Sequence, residues 1–136
     1  MSVIRAGEIF DGEGFCAADL FIEGDRFVAD RDEEPGEVID AAGCYVIPGL
    51  VDLHFHGSAG ADISDGALEG LHEMAAYEAS RGVTAMCPAT MTLSEEILAK
   101  AAHAAAEFSP AENEADLVGI NMEGPFISPS KVGVQN

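Results

Sequence analysis

The feature that most narrows what this chain can fold into is a change of rhythm at Pro48 and Gly49. Beyond them the apolar residues alternate between two periods. Residues 51–56 read as a strand. Residues 65–81 read as a helix, with Leu68, Leu71, Ala75 and Ala79 on one face and Gly82 as its stop. Residues 83–87 read as a second strand. Thr92 and Glu95 form a capping box that opens a helix running to about Phe108, and residues 117–122 give a third strand. Strand, helix, strand, helix, strand is the pattern of right-handed βαβ units and a parallel sheet, so the expected fold class is α/β.

Residues 1–49 read differently, as short strands separated by turns. Asp11 and Gly12 mark one hairpin, Gly24 and Asp25 another. Residues 31–37, RDEEPGE, form a charged loop, and a further strand pair turns near Ala42 and Gly43. The expectation is a small antiparallel β unit over 1–49 followed by an α/β unit over 50–136. A parallel sheet of three strands needs helices on both faces, and two helices cannot supply them. The chain is therefore expected to be the N-terminal part of a larger fold, or a truncated reading frame.

The net charge of −19, from 25 acidic and 6 basic residues, argues against nucleic acid or an anionic membrane surface as partner. No run of about 18 apolar residues offers a transmembrane span. The first residues, with one arginine and no continuous apolar stretch, do not read as a secretory signal. Cys16, Cys44 and Cys87 are odd in number and lack CxxC spacing. They point to a reducing, cytoplasmic compartment, each read as a small buried hydrophobe.

Chemistry concentrates in two places. In "VDLHFHG" the strand period puts Asp52, His54 and His56 on one face and Val51, Leu53 and Phe55 on the other. Two imidazoles on one strand face can hold one divalent ion; the bland alternative is a pair of satisfied histidines. Asp52 reads either as a partner that holds an imidazole in its tautomer or as a structural acid accepting backbone donors. In "GINMEGPFISP", Glu123 ends an apolar strand. Ligands of parallel β/α folds bind at that end, so Glu123 could complete or bridge a metal site. His72 and His103 fall in the helices and read as surface or packing residues. No GxGxxG, P-loop or nucleophile-elbow pattern is present.

"VIPGLVDLHFHG" resembles the opening signature of the amidohydrolase superfamily, PGxxDxHxHG. "GSAGADISDG", "GVTAMCPATMT" and "LVGINMEGPFISPSKVGVQN" resemble its N-acetylglucosamine-6-phosphate deacetylase branch. The resemblance covers the whole chain but only about the first third of such an enzyme. It implies a (β/α)8 barrel and a small β-sandwich, with 1–49 as part of the sandwich and 50–136 as barrel strands one to three with two helices. It implies hydrolysis of the acetamide of N-acetylglucosamine 6-phosphate, with Glu123 on the main ion and His54 and His56 on a second ion, zinc or iron. Val134 and Gln135 would fall at substrate-contact positions, Gln135 standing where other members have histidine. The aspartate acting as general acid and base, and two further histidine ligands, would lie beyond residue 136, so the chain alone is expected to be inactive. The implied partner is a small amino-sugar phosphate, with homodimerisation open to the full-length enzyme. The alternatives are another amidohydrolase, such as a cyclic-amide hydrolase, or a non-catalytic acidic remnant or binding module.

Overall fold

The computed structural model describes residues 1–29 and 34–135. The first three residues of the charged loop expected over 31–37 lie outside the described residues. The chain divides after Pro48 into two units.

The first unit is one sheet built on β1 (Ser2–Phe10). β2 (Phe15–Glu23) and β3 (Arg26–Val28) follow as antiparallel neighbours. Both expected hairpins form. Asp11 makes the first by accepting the Glu13 and Gly14 N–H groups on Oδ1, each at 2.9 Å. Those two donors hold its carboxyl below the ordinary carboxylate range. The expectation of an all-antiparallel unit is corrected by β4 (Glu37–Asp40) and β5 (Tyr45–Val46). They do not pair with each other; each pairs with β1, in parallel, and they lie end to end along its edge. Residues 41–44 make a jog instead of a reversal. The Ala41 N–H bonds to the Arg5 carbonyl at 2.8 Å and the Glu8 N–H to the Cys44 carbonyl at 3.0 Å, carrying the chain past a bulge in β1. Gly7 sits at that bulge, where a Cβ would lie 2.7 Å from a Val46 methyl. Cys16 and Cys44 are exposed, contrary to the buried placement expected of them.

The second unit contains the parallel sheet. β6 (Leu50–Asp52) is followed by the two-residue hairpin β7 (Gly57–Ser58) and β8 (Ala61–Asp62), then α1 (Leu68–Ser80). β9 (Val83–Met86), β10 (Ala89–Thr90), α2 (Glu95–Glu107), β11 (Asp116–Leu117) and β12 (Asn121–Met122) complete it. β6, β9 and β11 form one parallel sheet in chain order, and β10 pairs β12 beyond their ends. Ile63, Leu71 and Met74 pack on Ala101 and Ala104 between the helices, while Ala75, Met86 and Ala115 form the core beneath α1. Small alanines let the backbones approach, and the larger side chains fill the space between.

The third strand expected over 117–122 forms as two pieces, β11 beside β9 and β12 beside β10, and three element boundaries also differ from the sequence reading. The first strand loses regular pairing after Asp52, because the Asp52 carboxylate accepts the His54 N–H at 3.0 Å. The chain still follows its neighbour: the Ala89 N–H bonds to the Phe55 carbonyl at 2.6 Å. α1 begins at Leu68 because residues 63–65 form a separate 3-10 turn capped by Asp62 and ended by Gly66 at φ 62°. α2 is capped by Ser94, not by the expected Thr92, whose polar groups are engaged elsewhere.

Candidate metal centre

The carboxyl-terminal ends of the strands in the second unit bring His54, His56 and Glu123 together. One ligand atom from each lies within 4.8 Å of the others, the one group of this kind among the described residues. Strand pairing achieves this. Ala89 of β10 pairs with Asn121 of β12, which places Glu123 just past the pair. The same Ala89 offers its carbonyl to His56.

Each imidazole is held by its second nitrogen. His56 Nδ1 is 2.8 Å from the Ala89 carbonyl oxygen. A carbonyl only accepts, so Nδ1 carries the proton and Nε2 keeps a free lone pair. His54 Nδ1 is 3.1 Å from Asn121 Nδ2, which donates, so the ring proton sits on Nε2 and is given to Glu123 Oε1 at 3.1 Å. The two rings meet edge to face, 5.3 Å between centroids. Asp52 bonds to the backbone of His54 rather than to either ring.

Glu123 is constrained at three points. Its backbone carbonyl accepts the Thr92 hydroxyl at 3.2 Å. Oε1 faces His54, and Oε2 accepts from Gln135 Nε2. Gln135 Oε1 in turn accepts the Thr92 N–H at 2.9 Å. Gln135 is thus engaged on Glu123, while Val134 beside it is 95% exposed. Thr92 and Asn121 are contributors that sequence reasoning missed. Thr92 looked like a helix cap, and Asn121 carries no signal of its own beyond lying two residues before the glutamate.

Two imidazoles and a carboxylate make the donor set of catalytic zinc and of non-haem iron sites. A tetrahedral ion with bonds of about 2.0–2.1 Å spaces its ligands by about 3.4 Å. The 3.1 Å between His54 Nε2 and Glu123 Oε1 is close to that spacing. The residues present fit a divalent cation once the proton that His54 Nε2 gives Glu123 is displaced, to Nδ1 with the Asn121 amide oxygen as its acceptor.

His72 lies apart from this group. Its Nδ1 meets Glu114 Oε2 at 2.8 Å and its ring packs 4.8 Å from that of Phe108, so it is a packing residue. His103 pairs with Glu107 along α2 at 3.3 Å.

A parallel sheet in chain order, with histidines and a carboxylate gathered at its carboxyl-terminal ends, defines a class. Residues 37–120 match the model of the Amidohydrolase family, and the chain belongs to that family. Within it, the chain is 36% identical over 98 residues to an N-acetylglucosamine-6-phosphate deacetylase of Lysinibacillus sphaericus, covering 71% of this chain and 25% of that protein. It is 33% identical over 133 residues to the enzyme of the same name from Bos taurus, covering 96% of this chain and 30% of that protein. A crystal structure of N-acetylglucosamine-6-phosphate deacetylase from Pasteurella multocida superposes with a TM-score of 0.85 at 24% identity, over 99% of this chain and 37% of that one, and shows the shared fold. The chain thus spans about a quarter to a third of the length of the curated relatives it matches.

Proposed function

We propose that this chain carries one corner of the active site of a metal-dependent deacetylase. The whole enzyme would hydrolyse the acetamide of N-acetylglucosamine 6-phosphate to glucosamine 6-phosphate and acetate. The observation that carries the reading is the convergence of His54, His56 and Glu123 at the strand ends. The relatives named as deacetylases of this substrate support its specificity. In this reading residues 50–136 are the first three strands and two helices of a (β/α)8 barrel, supported by the parallel order β6, β9, β11 and by a site at their carboxyl-terminal ends. Residues 1–49 are part of a small β-sandwich, supported by a sheet with one apolar groove lined by Ile4, Leu20, Ile22 and Phe27.

A zinc or iron ion held there would lower the pKa of a water and polarise the amide carbonyl. Glu123 would hold the main ion, with His54 and His56 on the same or a second ion. His56 is pinned in the tautomer that leaves Nε2 free, so its ring is aimed without reorganising. His54 would have to pass its proton from Nε2 to Nδ1, with Asn121 turning its amide oxygen to accept it. Asp52 fixes the backbone from which His54 projects. Val134 and Gln135 stand where the sugar would be met. No residue of this chain is assigned the general acid and base role. Among the described residues no helix is long and apolar enough to cross a membrane. A cytoplasmic, small-molecule role accords with that and with the acidity.

The test is Glu123→Gln introduced at the chromosomal locus that encodes this chain. Extracts should lose acetate release from N-acetylglucosamine 6-phosphate, and that sugar phosphate should accumulate in the cells. Unchanged deacetylation, with loss instead of dihydropyrimidine ring opening, would transfer the chain to the cyclic-amide hydrolases.

A further inference from the structure

We propose that Gln135 is a positioning residue for the metal ligand Glu123, holding it as a single-oxygen donor. The inference rests on the metal-site reading above and deepens it. Gln135 comes from the loop after the third strand, yet both ends of its carboxamide are used inside the site. Its oxygen accepts the Thr92 N–H at 2.9 Å, and its nitrogen donates to Glu123 Oε2. A backbone N–H can only donate, so the amide has one orientation that satisfies Thr92, and in that orientation its nitrogen must face the carboxylate. Thr92 therefore decides which end of Gln135 meets Glu123.

The consequence for Glu123 is geometric. With Oε2 engaged, Oε1 alone faces the imidazoles, and the Thr92 hydroxyl holds the glutamate backbone at 3.2 Å. A carboxylate bound at both ends cannot rotate to offer two oxygens to one ion. This chain then supplies one carboxylate oxygen with the Nε2 lone pair of His56 and, once its proton has moved to Nδ1, that of His54, a set that leaves positions open for water and substrate. The donor is also neutral. A cationic side chain at this place would compete with the metal for the glutamate charge, whereas a carboxamide orients the charge without cancelling it.

The experiment is titration of the apo chain with cobalt(II), followed by visible absorption, which reports both affinity and coordination number. Binding to the remaining acidic surface is subtracted with the double variant His54→Ala/His56→Ala. Gln135→Met keeps the length of the side chain but removes both bonds. It should weaken cobalt binding about 10–100-fold and lower the intensity of the visible bands as Glu123 becomes a two-oxygen ligand. The thermal midpoint of the apo chain should stay unchanged. Gln135→Asn keeps the amide but is one methylene too short to reach both partners, and should behave as Gln135→Met does. Wild-type affinity and spectrum in both variants would overturn the positioning role while leaving the metal site standing. Failure of the wild-type chain to bind cobalt above the double variant would overturn the metal reading, and this inference with it.

Discussion

At the scale of single residues the site depends on a few side chains whose two ends are both engaged. Gln135 spans Thr92 and Glu123, His54 spans Asn121 and Glu123, and His56 is anchored through one nitrogen so that the other is free. Gly124 makes this packing possible. Its φ is +91°, and a Cβ there would lie 2.7 Å from Thr92 Oγ1. Glycine adopts that conformation without a steric penalty. Gly124→Ala should therefore destabilise the second unit by about 1–3 kcal/mol, read as a fall in the urea midpoint. An unchanged midpoint would mean the turn after Glu123 is not held against Thr92. The HxH pair and the glutamate are legible in the sequence because each is a local pattern: a strand period and a strand end before Gly-Pro. Thr92, Asn121 and the inward engagement of Gln135 are not legible, because their partners lie 43, 67 and 12 residues away.

At the scale of elements, α1 is tied to the turn before β11 by a polar contact outside the site. Glu114 accepts the Ala111 N–H and pairs with His72 of α1, each at 2.8 Å. The Ala111 bond first, and His72 second, hold the Glu114 carboxyl below its ordinary value of 4.5. A carboxyl with a depressed folded-state pKa contributes stability that is fully present above that ordinary value and lost as the pH falls through the lower folded value. Glu114→Gln should thus lower the thermal midpoint at pH 7, and the gap between variant and wild type should close progressively below about pH 4.5. A gap that stays constant with pH would show that the carboxylate charge contributes nothing. The helices themselves were readable from their periodicity. Their starts were not, because α1 begins without a side-chain cap, after Asp62 and Gly66 have closed a separate 3-10 turn, and Ser94 rather than Thr92 caps α2 once Thr92 is engaged on Glu123.

At the scale of the whole molecule, all three side chains of the candidate metal centre belong to the second unit. A ligand that binds only the folded state stabilises by mass action, about 2.7 kcal/mol at a hundred times its dissociation constant. Zinc at that excess should raise the unfolding temperature of the second unit, leave that of the first unit where it was, and lose its effect on chelation. An equal shift in both units would place the ion on the acidic surface instead. By itself the sequence determined the change of architecture near residue 49, the α/β rhythm, the direction of the sheet and the two motifs that supply the candidate ligands. These are fixed by periodicity and by turn chemistry within a few residues, which any stretch of chain carries locally. The tertiary structure alone decided that β4 and β5 lie parallel to β1, since a jog and a reversal use the same turn residues. It also decided the register of Ala89 against Asn121. That pairing brings together the groups that orient both imidazoles and the glutamate, because it joins segments whose sequences say nothing about each other.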